Sequence, residues 1–204
     1  MKKMHKLLRQ LSPLAADTFG AELAAKALPL AQSQLEQLLA ENAGQPKAVA
    51  THTQNKIYPC IALHRALQQC GISKEDSAAF LDRSMSLLAE PDAASIRTML
   101  KIPGAYKLMP RIFGWVTVHQ FGTDAGFAAT FYPTGKDRCK FDMTRCLYCD
   151  TCRANGCPEL IVAFCHTDDV TDGNMHPRLR WNRTKIMGDG GDVCDFDLYI
   201  TDRS

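Results

Sequence analysis

Four cysteines, Cys146, Cys149, Cys152 and Cys157, follow one another with two, two and four residues between them. Thiolates at such spacing can reach a common soft ion, as at zinc and iron–sulfur sites. If the segment is helical, Cys146, Cys149 and Cys152 span roughly 120° of arc and can share one face. The spacing therefore nominates these four thiols as ligands of zinc or another thiolate-bound metal. The competing account is that free cysteines pack as small hydrophobes.

A second group is Phe164-Cys165-His166-Thr167-Asp168-Asp169, with His176 a short loop further on. A thiol attacks carbon only as thiolate, and a cationic or proton-accepting neighbour favours that form. Cys165, His166, Asp168 and His176 are therefore the candidate catalytic residues. On a helix His166 diverges from Cys165, whereas Asp168 and Asp169 fall on the Cys165 side. The bland alternative is a helix ending in a solvated acidic turn. A third group is Arg180-Trp181-Asn182-Arg183-Thr184-Lys185, set against Asp195-Phe196-Asp197 and Cys194 across a glycine-rich turn. An inward-pointing Arg183 needs a carboxylate, from an Asp of the chain or from a bound acid. Arg183 is thus a candidate to orient an acidic small molecule, with Thr184 as an auxiliary donor and Cys194 grouped with them as candidate substrate-binding residues, and pairing with Asp195 or Asp197 is the structural alternative. His5, His52, His64 and His119 stand alone and read as structural or solvent-facing.

These groups need positioning elements. Residues 4 to about 42 favour helix, with Pro13 and Pro29 as expected breaks. Tyr58 to Cys70 reads as a helix closed at Gly71. Ser73-Lys74-Glu75-Asp76 caps another through Ala89, punctuated at Glu90-Pro91-Asp92 before a short helix to Leu100. Trp115–Phe121, Gly126–Tyr132, Arg138–Met143, Arg178–Met187 and Val193–Ile200 read as strands, the last two joined at Gly188-Asp189-Gly190-Gly191-Asp192. Between them, Cys157, Leu160, Ile161, Phe164 and Cys165 match a helical face behind Pro158, although a buried strand is the alternative. The expectation is one α+β domain over residues 1–204. Its helical half, 1–110, packs with a C-terminal antiparallel sheet of about five strands and one or two intervening helices.

Composition limits the function. The 204 residues carry 24 basic and 22 acidic side chains, a balance of +2 that argues against a nucleic-acid partner. No run reaches the ~18 apolar residues that span a bilayer, so no membrane role is expected. The basic start, Met1-Lys2-Lys3-Met4-His5-Lys6, is followed by Arg9, Gln10 and Pro13 before an apolar signal core forms, so the cytoplasm is the expected location. Nine cysteines, seven of them after residue 138, then favour reduced thiols, a metal or a reactive site over a disulfide framework.

The ordered set Cys146, Gly156-x-Pro158-Glu159-Leu160, Phe164-Cys165-x2-Asp168, Arg183-Thr184-Lys185-Ile186 and Gly190-Gly191-x2-Cys194-Asp195-Phe196 resembles the L-2-amino-thiazoline-4-carboxylic acid hydrolase family. The resemblance implies hydrolytic opening of a cyclic amidine-type C–N ring in a small-molecule carboxylate substrate, giving a carbamoyl-cysteine. It also implies a fold related to 4-vinyl reductase-type small-molecule-binding domains. Zinc-binding sensors of that wider group carry Glu and Cys on the hairpin before the final Cys. Arg183 and Ile186 occupy that stretch here, so their site does not transfer. The other function classes are a non-catalytic small-ligand or metal-binding sensor module, which would need a separate effector, and an iron–sulfur redox protein.

Overall fold

The computed structural model describes residues 4–201, so Met1-Lys2-Lys3 of the basic start lies outside the described residues. Among the described residues no helix is long and apolar enough to cross a membrane. The helical half begins with α1 (Lys6–Phe19) and α2 (Ala21–Glu41), joined at Gly20, whose φ of 90° suits a residue without Cβ. After α3 (Lys47–His52), one wide π-type turn, Thr53–Ile57, leads without a break into α4 (Tyr58–Gln69). Next comes α5 (Lys74–Met99), capped by Ser73, whose hydroxyl accepts the Asp76 amide at 3.0 Å.

Pro13, Pro29 and Pro91 do not break these helices as expected. They lie inside α1, α2 and α5, and the last runs unpunctuated through Glu90-Pro91-Asp92. The physical reason is their placement. Each proline is exposed, as are Arg9, Ala25 and Leu87 four residues earlier, so water replaces the hydrogen bond that each ring removes. The opposite faces build the core. Leu8, Leu11, Leu35, Ile61, Leu63, Leu67 and Leu81 are wholly buried there.

The sheet has four antiparallel strands in the order β1 (Ala128–Phe131), β2 (Arg138–Arg145), β4 (Cys194–Ile200) and β3 (Leu179–Asn182). The fifth expected strand, at Trp115–Phe121, is instead part of α6 (Met109–Gln120), with Pro110 in its first turn. Packing overrides aromatic β-propensity here. Phe113 of α6 lies against Phe141 and Trp181 of the sheet, with ring centroids 5.7 and 5.5 Å apart. Strand β3 also stops at Asn182, so Arg183–Ile186 is a loop rather than strand.

Two helices lie between the strand pairs. The first, α7 (Leu147–Ala154), starts at Cys146, and a short 3-10 turn at Pro158–Leu160 then feeds α8 (Ile161–Asp172). The helical reading of Leu160–Cys165 holds over its strand alternative. Because α8 packs along α5 while its inner end meets Gly188 of the β3–β4 connection, Cys165 is carried to the meeting point of both halves.

Candidate active site

The nine cysteines are all free. Cys165 on α8 and Cys194 at the start of β4 are close enough for their titrations to be linked, the proton staying with Cys165 and the charge with Cys194. The Met187 amide donates to the Cys194 sulfur at 3.2 Å. With the Cys165 thiol, that amide and the nearby Arg183 charge favouring its anion, Cys194 is brought down to about 7. Cys165 moves the opposite way, because its proton is held by Cys194 and its sulfur is buried. The pair therefore has a direction: the anion forms on Cys194.

Cys146 and Cys149 make a second pair. The Cys149 thiol, together with the amides of Cys149 and Tyr148 at the start of α7, lowers Cys146, although no amide closes a regular cap bond. Cys149 is raised because Cys146 holds its proton. Cys146 feels the charge of Cys194, and Cys165 feels that of Cys146, so the two pairs are neighbours. The Cys146–Cys149 pair at the start of α7 is thus electrostatically linked to the Cys165–Cys194 pair of α8 and β4.

Arg183 lies beside them with its side chain 1% exposed. Its Nη1 donates to Asp168 Oδ2 at 3.0 Å, and its Nη2 to Asp169 Oδ2 at 2.6 Å and to the Cys165 carbonyl at 2.9 Å. The guanidinium sits 5.5 Å from the Phe196 ring and 5.9 Å from that of Trp181, while its buried Nε has no hydrogen-bond partner. The cross-strand partners considered from sequence are occupied elsewhere. Asp197 takes two bonds from Arg138, and Asp195 takes the Thr184 amide and hydroxyl and the Lys185 amide.

Asp168 keeps 42% of its side-chain surface open, yet protein surrounds it closely enough that burial pushes its carboxyl up to about 6 against the pull of Arg183. Asp172, one turn further, is pushed up to about 8 by burial and by Asp168. Tyr148 and Lys56 face the same acid through space. Tyr148 shares its hydroxyl with His52 Nδ1 at 3.2 Å.

The other sequence candidates lie apart. His166 turns to α5, with Nδ1 2.7 Å from Asp82 Oδ1. His176 stacks on Tyr106 at 4.6 Å and accepts the Arg178 amide, so neither histidine is placed to serve Cys165. Thr184 spends its hydroxyl on Asp195 at 2.6 Å. Cys146, Cys149, Cys152 and Cys157 do not form one cage. Cys152 feels Cys60 and Cys157 most among its ionisable neighbours, and among the described residues the group of three donor atoms lying mutually within 4.8 Å is that of His64, Cys157 and Glu159. A zinc ion held through Cys194 at the hairpin also fits poorly, because the buried Arg183 guanidinium beside it opposes a second cation.

Sequence reading missed Asp172, Tyr148, Lys56, His64 and Glu159. Asp172 had a legible signal, lying on α8 four residues after Asp168, and Tyr148 and Glu159 sit inside the cysteine-bearing segment, whereas Lys56 and His64 come from a much earlier part of the chain. A surface groove of about 360 Å³ between α6 and the β1–β2 turn, lined by Arg111, Trp115, Tyr132 and Lys140 among others, shares no residue with the thiol cluster.

Comparison with known proteins agrees with the motif order. No curated protein and no solved structure gives a significant match. The family model described as L-2-amino-thiazoline-4-carboxylic acid hydrolase, however, matches residues 50–198, a stretch that contains α4, the sheet, both cysteine pairs and Arg183. With most of its length matched, the chain belongs to the L-2-amino-thiazoline-4-carboxylic acid hydrolase family.

Proposed function

We propose that the protein is a hydrolase that opens the ring of a small cyclic amidine bearing a carboxylate, such as 2-aminothiazoline-4-carboxylate. The observation that carries this reading is the meeting of an acidified thiol, Cys194, with the Arg183–Asp168 pair inside the family-matched segment. In this scheme the Cys194 thiolate adds to the amidine carbon, and Cys165, first read as the nucleophile, instead steadies that sulfur. The ring C–S bond then breaks and its electrons pass to the ring sulfur, which takes a proton from Asp168. A water gives its proton back to the Asp168 carboxylate and adds to the same carbon, and the bond to Cys194 breaks. The sum is one water consumed and one carbamoyl-cysteine formed with a free thiol. The Arg183 charge, with Nε still unengaged, draws the substrate carboxylate toward the thiol pair.

The test is thiol release from 2-aminothiazoline-4-carboxylate, with the product identified by mass. Breaking the ring C–N bond instead would leave sulfur carbamoylated and release no thiol, so the product decides which bond opens. Cys194→Ser is expected to lower turnover at least ~100-fold, the scale of a lost catalytic group, and Cys165→Ser less. Full turnover by Cys194→Ser would refute the nucleophile, and binding without any product would leave a ligand-binding module.

A further inference from the structure

Away from the thiol cluster, α4 meets the turn that precedes α8 at a second group of chemistry-bearing side chains. His64 Nε2, Cys157 Sγ and a Glu159 carboxylate oxygen all lie within 4.8 Å of one another. His64 is fully buried. Its Nδ1 is 2.8 Å from the Ser77 hydroxyl on α5, and its Nε2 is 2.7 Å from Glu159 Oε1. The outer Glu159 oxygen, Oε2, is buried and faces Lys74 Nζ at 3.0 Å. This group uses none of the residues of the proposed hydrolytic reaction.

We propose that His64, Cys157 and Glu159 form a structural zinc site. The donor set is one imidazole, one thiolate and one carboxylate, which suits zinc rather than magnesium or calcium. At bond lengths of ~2.1 Å to nitrogen and ~2.3 Å to sulfur, tetrahedral ligands stand ~3.6 Å apart. The donors lie within 4.8 Å of one another, and His64 Nε2 and Glu159 Oε1 stand at 2.7 Å, so each separation changes by about 1 Å, the His64–Glu159 one opening, within reach of side-chain rotation. Charge also balances. Zinc brings two positive charges, which the Cys157 and Glu159 anions match, while Lys74 on the outer Glu159 oxygen and Arg65 beside Cys157 keep their own positive charges at the edge of the site. Binding displaces the Cys157 thiol proton and any proton shared between His64 and Glu159. Ser77 holds the imidazole from the far side and Lys74 stays on the outer Glu159 oxygen, the outer-shell support that metal ligands commonly have. Water is the candidate for the fourth position. Such a site ties α4 to the α7–α8 connection, eight residues ahead of Cys165.

The test is titration of purified, chelator-treated protein with cobalt(II) as a zinc reporter, followed by competition with zinc. The wild-type chain is expected to bind one equivalent and to show a sulfur-to-cobalt charge-transfer band that zinc abolishes. Cys157→Ser should lose that band, whereas Cys146→Ser should keep it. Ser77→Ala, which removes only the support of the imidazole, should weaken zinc about 10–100-fold without abolishing the band. Circular dichroism verifies that each variant is folded. Absence of stoichiometric binding by the wild type, or a band that survives Cys157→Ser and disappears in Cys146→Ser, would overturn the assignment and leave the hydrolytic reading untouched.

Discussion

Replacing Arg183 by Met keeps much of the stem packing and removes the charge. The side chain is 1% exposed, whereas its partners Asp168 and Asp169 keep 42% and 44% of theirs. Losing one member of a fully buried pair costs about 3–5 kcal/mol, but half-exposed carboxylates recover water, so each pair is worth only ~0.5–1 kcal/mol after screening. The contacts with Trp181 and Phe196 add ~0.5–1 kcal/mol per ring. The sum is ~2–4 kcal/mol. With a urea slope of ~2–3 kcal/mol per molar, the unfolding midpoint should fall by about 1 M. The same substitution in an Asp168→Asn, Asp169→Asn background should cost at least ~1 kcal/mol less, because the removed charge no longer has its anions. A loss below ~0.5 kcal/mol, or strict additivity between the two backgrounds, would show that the buried guanidinium is not held by this pair of acids.

Further outcomes follow from the same geometry. Alkylation with iodoacetamide near neutral pH should modify Cys194 ahead of Cys165, since burial and the shared proton hold Cys165 up; peptide mapping with Cys165 labelled first would contradict the direction of the pair. Gly188→Ala should destabilise by ~1–3 kcal/mol, because an added Cβ would stand 3.2 Å from both Cys165 Sγ and Ile161 Cγ2; an unchanged thermal midpoint would mean the connection gives way freely. Asp168 and Asp172 have carboxyls raised from the ordinary value of 3.8 to about 6 and about 8. The folded chain therefore binds more protons than the unfolded one between about pH 4 and 8, and these two acids make stability fall as pH rises through that window. Urea melts at pH 5 and pH 8 should show Asp172→Asn flattening this dependence, and an unchanged slope would count against the raised Asp172 carboxyl.

How far the sequence revealed this arrangement depends on what decides each feature. Ser73 and the face of Leu160, Phe164 and Cys165 are local signals, and both elements appear where the pattern puts them. Pro91 is local too, but its effect depends on whether the carbonyl of Leu87 meets solvent, which only the packed helix settles. Trp115–Phe121 carries strand-forming residues, yet its state is decided by Phe113 seating on Phe141 and Trp181. The neighbourhood of Cys165, Cys194 and Arg183 was legible as an ordered motif. Its internal chemistry was not, because which sulfur is acidified depends on the Met187 amide, and which acids hold Arg183 depends on β3 ending at Asn182. His64 looked solitary because its partners lie 13 and 95 residues away.

The wide turn at Thr53–Ile57 has a consequence of its own. Five-residue winding in an otherwise continuous helix is the mark of a single inserted residue, and such insertions are frequent beside functional sites. Deleting one residue there would restore ordinary winding and rotate everything upstream by about 100° about the axis, while leaving α4 and its buried face in phase. His52 would swing off the Tyr148 hydroxyl. The chain thus carries, at one point of its backbone, the angular offset that keeps an imidazole trained on the rim of the thiol cluster.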